Sequence, residues 1–284
     1  MSARPPRVSV CLPARNEGLT IGAIVSEAVR LEMVSEVVVL DDGSSDDTAR
    51  VATAAGARVV SEASVLPETG PGSGKGNAMW KSLYACRGEV ICWVDADLRN
   101  FRGEYIERLC APLLKDPGTM FVKAYFTRTF EGAPTGGGRV TELVARPLLS
   151  LLFPKLADIV QPLGGEYAAR RSALEVLPFV EGWGVELGLL VDVVERFGRD
   201  AVAQVDLDAR EHRNRPLEEL GPQALAVMTI ALRRAGLLPE ETAPFVELLR
   251  AAPDGTVAAQ PVEARERPPM ITIPAYRARF SPPR

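Results

Sequence analysis

The sequence has no stretch of ~18 or more uninterrupted apolar residues, the length a membrane-crossing helix needs. Its most apolar segment, Leu143 to Leu152, is broken by Arg146 and Pro147, so no membrane partner is expected. A basic excess is also missing: 33 Lys and Arg stand against 37 Asp and Glu, a net charge of −4. Nucleic acid is therefore not an expected partner, because binding a phosphate backbone normally leaves a basic surplus or stripe. The start, Met1 to Arg7, carries Pro5 and Pro6 where a secretory leader would need its apolar core, and the expected location is cytoplasmic. Cys11, Cys86, Cys92 and Cys110 show no Cys-x-x-Cys spacing, which argues against a zinc site or a disulfide framework. There is one histidine, His212, and that excludes any His pair or multi-histidine metal site. No internal repeat is present.

What is present is a 284-residue chain of 46% hydrophobic content, long enough for one large core or two modest ones. In its first half, short β-branched runs alternate with amphipathic stretches, the pattern of a parallel sheet covered by helices. Strands are expected at Val8 to Leu12, Val37 to Leu40, Val59 and Val60, Val90 to Val94, and Phe121 to Phe126. Helices are expected over Ile21 to Ala28, from near Asp46, from about Asn77 to Cys86, and from about Val140 to Leu152. A loop from Pro67 to Gly76 separates the third strand from its helix. The second half predicts helices over Val185 to Arg196 and Glu218 to Ala235, with a strand around Val202 to Leu207. The last 33 residues hold seven prolines, which predicts an extended tail without the apolar density to fold alone.

In open α/β sheets, ligands gather at the carboxyl ends of the strands, and three such ends are polar. Leu12-Pro13-Ala14-Arg15-Asn16-Glu17 and Asp41-Asp42-Gly43-Ser44-Ser45-Asp46 also read as helix starts, through Asn16 and Asp46. Asp95-Ala96-Asp97 ends the run Val90-Ile91-Cys92-Trp93-Val94, and alternation in an extended chain puts both carboxylates on one side. That pair reads either as an oxygen-rich seat for Mg²⁺ or Mn²⁺ bridging a diphosphate, or as a solvated turn with a helix cap. Gly72-Ser73-Gly74-Lys75-Gly76 has the look of a phosphate loop, but Gly76 stands where a Walker motif needs Ser or Thr and Thr69 where it needs Gly. A flexible glycine segment presenting the Lys75 ammonium remains. Gly136-Gly137-Gly138-Arg139-Val140-Thr141 leads into a helix, where free N–H groups, a guanidinium and a hydroxyl suit a phosphate or carboxylate. Arg210 to Arg215 concentrates three arginines around His212.

Taken in order, these segments resemble retaining nucleotide-sugar glycosyltransferases of the GT-A fold, an α/β class with a Rossmann-like, mostly parallel sheet flanked by helices and a smaller acceptor-binding part. The specific resemblance is to the actinobacterial glucosyl-3-phosphoglycerate synthases. It runs from about Val8 to Gly236. Its most specific stretches are Thr135 to Pro147 and Gln161 to Ala168.

The resemblance implies transfer of glucose from UDP-glucose to the 2-hydroxyl of D-3-phosphoglycerate, with Mg²⁺ or Mn²⁺ as cofactor. Related members use GDP-mannose and make mannosyl-3-phosphoglycerate. It further implies a nucleotide-sugar half over 1–130, an acceptor half over 131–250, a proline-rich tail over 251–284, and a homodimer. Pro13, Ala14, Glu17, Asp42 and Ala96 would hold the donor, with Lys75 at its diphosphate or sugar. Asp97 and His212 correspond to metal ligands, and Asp95 faces sugar or ribose hydroxyls. Gly138, Arg139, Thr141 and Asn214 would hold the acceptor, while Leu163 and Glu186 lie beside the transferred glucose. Asp42 and Ala96 stand where other members can carry serine, Trp183 where tyrosine is expected, and the segment after Gly236 has no counterpart in the pattern.

Overall fold

The computed structural model describes residues 6–130, 133–136, 138–210, 216–239 and 244–280. Its frame is an eight-stranded sheet containing β1 (Val8–Ala14), β2 (Val34–Asp41), β3 (Arg58–Ser61), β4 (Val90–Trp93), β5 (Phe121–Phe130), β6 (Ala133–Gly136), β7 (Tyr167–Arg170) and β9 (Val202–Arg210), with β8 (Phe179–Val180) outside it. The order is β3-β2-β1-β4-β7-β5-β6, and β9 also pairs with β5. The first four strands are parallel, as is β5 with β9. β7 runs against both its neighbours, β4 and β5.

Burial explains why the parallel strands were readable as apolar runs. Both faces of the sheet are covered, and successive residues are therefore mostly apolar. Val8, Val10 and Leu12 of β1 pack into one core with Ile21 and Ile24 of α1 (Ile21–Ala28), while Cys11 between them packs into the other. α2 (Thr48–Ala54) and α4 (Glu104–Lys115) join the first core, and α3 (Gly74–Ala85) and α7 (Val185–Phe197) the second. The expected helix at 140–152 is present, but it opens with a π turn over Thr141–Ala145 before α5 (Arg146–Leu152). The Arg146 N–H reaches back to the Thr141 carbonyl, and the next residue, Pro147, has no N–H to continue the tighter ladder.

Two expectations need correction. The segment from Pro67 to Gly76 is not a loop throughout, since α3 begins at Gly74 and places Lys75 in its first turn. The glycines serve close packing rather than flexibility: a Cβ on Gly76 would lie 1.8 Å from the Val180 carbonyl oxygen. The proline-rich tail is not extended either. β10 (Phe245–Ala251) and β11 (Val257–Glu263) form a hairpin, β12 (Glu266–Arg267) pairs antiparallel with β8, and α9 (Pro274–Phe280) buries Tyr276. α3 provides the reason. It is buried on nearly every side, from Gly76 to Leu83, and the sheet can cover only one face of a helix. The remaining face is covered by the segment 263–280. Short α6 (Arg171–Leu174) and the long α8 (Leu217–Arg234) complete the described elements. No helix among the described residues is long and apolar enough to cross a membrane.

Candidate active site

The strand order runs in opposite senses from the β1–β4 pair, and at such a switch point strand ends part to leave a crevice. The register shows the parting. β1 pairs with β4 only as far as Cys11 opposite Trp93, with a further bond from the Val94 N–H to the Cys11 carbonyl at 3.2 Å. Its pairing with β2 continues to Ala14 opposite Asp41. Pro13, with no N–H for a ladder, falls where β4 has already left.

A cavity of about 540 Å³ opens at this point. Pro13, Ala14, Glu17, Asp42, Lys75, Asp95, Ala96, Asp97, Gly138, Arg139, Thr141, Leu163 and Glu186 all line it. His212 and Asn214 lie outside the described residues. Arg15, Gly165, Trp183, and Leu220 and Gln223 of α8 also line the cavity. The two α8 residues carry no motif, and a helix far along the chain gives no sign of which face meets a distant sheet end.

The first two strand-end loops brace each other. Asn16 adopts left-handed backbone at φ 59°. Its N–H donates to Ser44 Oγ at 3.0 Å and its Oδ1 accepts from the Ser45 N–H at 2.8 Å, so it joins loops rather than capping a helix. Asp46 accepts from the Gly18 N–H and from the Thr48 N–H, each at 3.0 Å, while the cap position of α2 falls to Asp47. β4 ends at Trp93, one residue before the expected Val94, so Asp95 and Asp97 do not share a face by strand alternation. A turn at Ala96 and Asp97 brings both to the cavity, pinned by the Thr20 hydroxyl donating to the Ala96 carbonyl at 2.6 Å.

At the centre of the charge arrangement, Lys75 Nζ lies 2.6 Å from Asp95 Oδ1 and 3.2 Å from Glu186 Oε1. Burial disfavours its charge, but Asp95 and then Glu186 outweigh that and hold its pKa above the ordinary lysine value. The cluster is tight. A Cβ on Gly165 would fall 2.2 Å from Asp95 Oδ2 and 2.6 Å from Lys75 Nζ, so any side chain there would displace the pair. Lys123 of β5 is the opposite case. Fully buried against the Tyr167 ring at 4.3 Å, it donates to the Gly164 carbonyl, and burial pushes its pKa down to about 7 against the pull of Glu186. Glu17 is raised by burial and by Asp97, Asp46 and Asp95, and Asp42 by burial despite Arg15 at 3.6 Å.

Among the described residues no three His, Cys, Asp or Glu side chains are grouped to hold a metal ion. A closed protein cage is therefore not present there. Mg²⁺ and Mn²⁺ do not require one, since they take one or two carboxylates and complete their shell with substrate phosphate oxygens and water. Asp97, a hard oxygen donor in an open cavity with further carboxylates around it, fits that mode.

Residues 9–176 match glycosyl transferase family 2. The chain is 47% identical over 278 residues to a glucosyl-3-phosphoglycerate synthase of Mycolicibacterium paratuberculosis, spanning 94% of this chain and 84% of that protein. It is 42% identical to the one from Petrotoga mobilis, spanning 97% and 89%. A crystal structure of glucosyl-3-phosphoglycerate synthase from Mycobacterium tuberculosis in complex with Mn²⁺, UDP-glucose and phosphoglyceric acid matches with a TM-score of 0.83 at 45% identity, covering 94% and 91% of the two chains. Another from the same organism, with Mg²⁺ and UDP, gives 0.84 at 44% identity and covers 94% and 92%. Coverage of this extent reaches past Gly236, where no counterpart was expected.

Proposed function

Because the chain belongs to glycosyl transferase family 2 and, within it, to the glucosyl-3-phosphoglycerate synthases, we propose that it transfers glucose from UDP-glucose to the 2-hydroxyl of D-3-phosphoglycerate with retention at the anomeric carbon. The observation that carries this reading is the cavity at the β1–β4 parting. It gathers the strand-end residues suited to a nucleotide sugar, the Gly138 to Thr141 segment suited to an anionic acceptor, and the Lys75, Asp95 and Glu186 cluster. Residues 1–130 would supply the donor half and 131–250 the acceptor half of one GT-A domain.

In the proposed reaction the bond between the anomeric carbon and the diphosphate oxygen breaks, its electrons leaving with UDP. The acceptor oxygen bonds to that carbon on the same face, and its proton passes to a diphosphate oxygen. Retention by two displacements would need a free carboxylate on the opposite face. Glu186 is a poor choice for that role, being nearly buried and paired with Lys75 at 3.2 Å. Asp95 and Glu186 instead favour the positive charge that develops on the sugar, and Lys75 meets the departing diphosphate. Asp97 and His212 would hold Mg²⁺ or Mn²⁺, which when bound supplies charge neutralisation at the diphosphate. Otherwise the protein's contribution is positioning. The test is to offer 3-phosphoglycerate, Mg²⁺ and equal concentrations of UDP-glucose and GDP-mannose. Released nucleotide and anomeric configuration are then read, and preference for GDP-mannose or an inverted product would overturn the reading.

Arg139→Ala is expected to raise KM for 3-phosphoglycerate by at least about tenfold, because hydrogen bonds to charged partners contribute roughly 1.5 to 3 kcal/mol each. KM for UDP-glucose should barely move, and Arg139→Lys should rescue in part, since a point charge lacks the planar fork. A change in the donor KM alone would assign the segment to the donor. The chain is also proposed to work in the cytoplasm and to pair as a homodimer. Leu149 and Phe153 are buried in its own core, but Leu143 and Leu151 remain exposed at 74% and 80%. Light scattering should give twice the chain mass of 30.6 kDa, and the chain mass itself would refute pairing.

A further inference from the structure

The C-terminal segment runs along α3, the helix that carries Lys75, and meets it at both ends. At the far end, Arg171 donates to the carbonyls of Cys86, Gly88 and Leu83, and it touches Tyr276 Oη at 3.2 Å and the Phe280 ring at 4.4 Å. In the middle, Trp80 Nε1 donates to the Pro268 carbonyl at 2.8 Å. At the Lys75 end the contacts converge on one residue. Arg267 Nε lies 2.5 Å from Glu181 Oε1 and donates to Asn77 Oδ1 at 2.9 Å. Its Nη1 donates to the Thr69 carbonyl at 2.9 Å and its Nη2 to the Gly70 carbonyl at 3.3 Å. Arg267 is 5% exposed and Glu181 is fully buried.

Both partners of the reactive ion pair lead back to this junction. Glu181 Oε2 accepts from the Ser73 N–H at 3.2 Å, and Ser73 stands two residues before Lys75. Glu181 itself precedes the tight turn through Gly182 and Gly184 into α7, whose first turn holds Glu186. The two turns are pressed together, because a Cβ on Gly74 would lie 2.9 Å from the Gly182 Cα. Glu263 and Arg265 add bonds to Ser73 Oγ at 3.0 Å and to the Pro71 carbonyl at 3.2 Å. An arginine suits this place because one planar fork can donate to an amide oxygen and two carbonyls while its charge lies against a carboxylate, which an ammonium cannot do in fixed directions.

We propose that Arg267 is a positioning residue for sugar transfer, acting through Lys75: with Glu181 it locks the 69–74 turn against the 180–184 turn and so sets Lys75 Nζ between Asp95 and Glu186. The inference rests on the glucosyl-transfer reading above.

Arg267→Lys is the test variant, since it keeps a cation for buried Glu181 and is expected to fold; Arg267→Met extends the series where it folds. Arg267→Lys should lower kcat about tenfold and leave KM for 3-phosphoglycerate within twofold. Hydrogen exchange should quicken at amides 70–76 and stay unchanged in β1. In a Lys75→Ala background, adding Arg267→Lys should cost less than a further twofold in kcat/KM, because residues acting through one group are non-additive. Full kcat in a folded Arg267→Lys protein, or losses that multiply with Lys75→Ala, would overturn the proposal. Should the wild type fail to use UDP-glucose, the functional reading fails instead, and exchange at 70–76 still decides whether Arg267 holds the turn.

Discussion

Lys75→Ala is expected to lower kcat/KM for UDP-glucose by roughly 10²–10³-fold, the range found when one preorganised donor to a developing negative charge is removed. The reason is partly what Lys75 contributes and partly what it leaves behind. Its ammonium sits 2.6 Å and 3.2 Å from two carboxylates, and without it Asp95 and Glu186 would face each other across a site of restricted hydration. The variant should therefore show a lower plateau of kcat with the loss carried by the donor dependence. Lys75→Arg should not restore function, because the bulkier guanidinium enters the space that Gly165 already leaves only to an ammonium. Steady-state kinetics with each substrate varied, beside a thermal melt to establish folding, is the measurement. Retention of more than a third of wild-type kcat/KM, or a loss confined to the 3-phosphoglycerate dependence, would remove Lys75 from the donor side.

His212→Ala should abolish most turnover at low metal concentration, by about 10²-fold, and recover in part at raised Mn²⁺, as expected for a lost ligand rather than a lost fold. The grounds are the family resemblance and the position of His212 two residues beyond β9. The chain offers an unusually clean check that needs no turnover. With a single histidine, one imidazole gives one set of ring resonances, and Mn²⁺ added with UDP should broaden them selectively. Asp97→Asn should weaken that broadening. Ring signals that ignore Mn²⁺, in a protein that still binds UDP, would sink the ligand assignment.

How much of this was legible depended on the range of the interactions involved. The parallel strands declared themselves because two-sided burial leaves a local trace, five apolar residues from Val90 to Val94 being enough. The polar strand ends were equally visible, and the cavity collects them. Reasons failed more often than locations. Asp95 and Asp97 reach one cavity through a turn instead of a shared strand face. The glycines around Lys75 looked flexible because sequence shows a missing side chain, not the Val180 carbonyl that requires it to be missing. β7 was not anticipated: Tyr167–Arg170 is four residues long and runs antiparallel between β4 and β5. The C-terminal segment was misread for the most physical reason. Its prolines weigh against autonomous folding, but the segment lies against α3 and its hairpin against α8 instead of extending away.

That dependence has a consequence for the order in which the protein can be made. Synthesis proceeds from the N-terminus, and domains generally fold as their residues emerge. Arg267 reaches Asn77 across 190 positions and the Thr69 carbonyl across 198, so the first strands and α3 are synthesised long before their last tie exists. During that interval the Glu181 carboxylate has no guanidinium opposite it and one face of α3 is uncovered. Contacts of such long sequence separation form late and slowly. The chain is thus expected to pass through a stage in which most of the sheet has formed while the 69–74 turn still lacks its tie to Arg267.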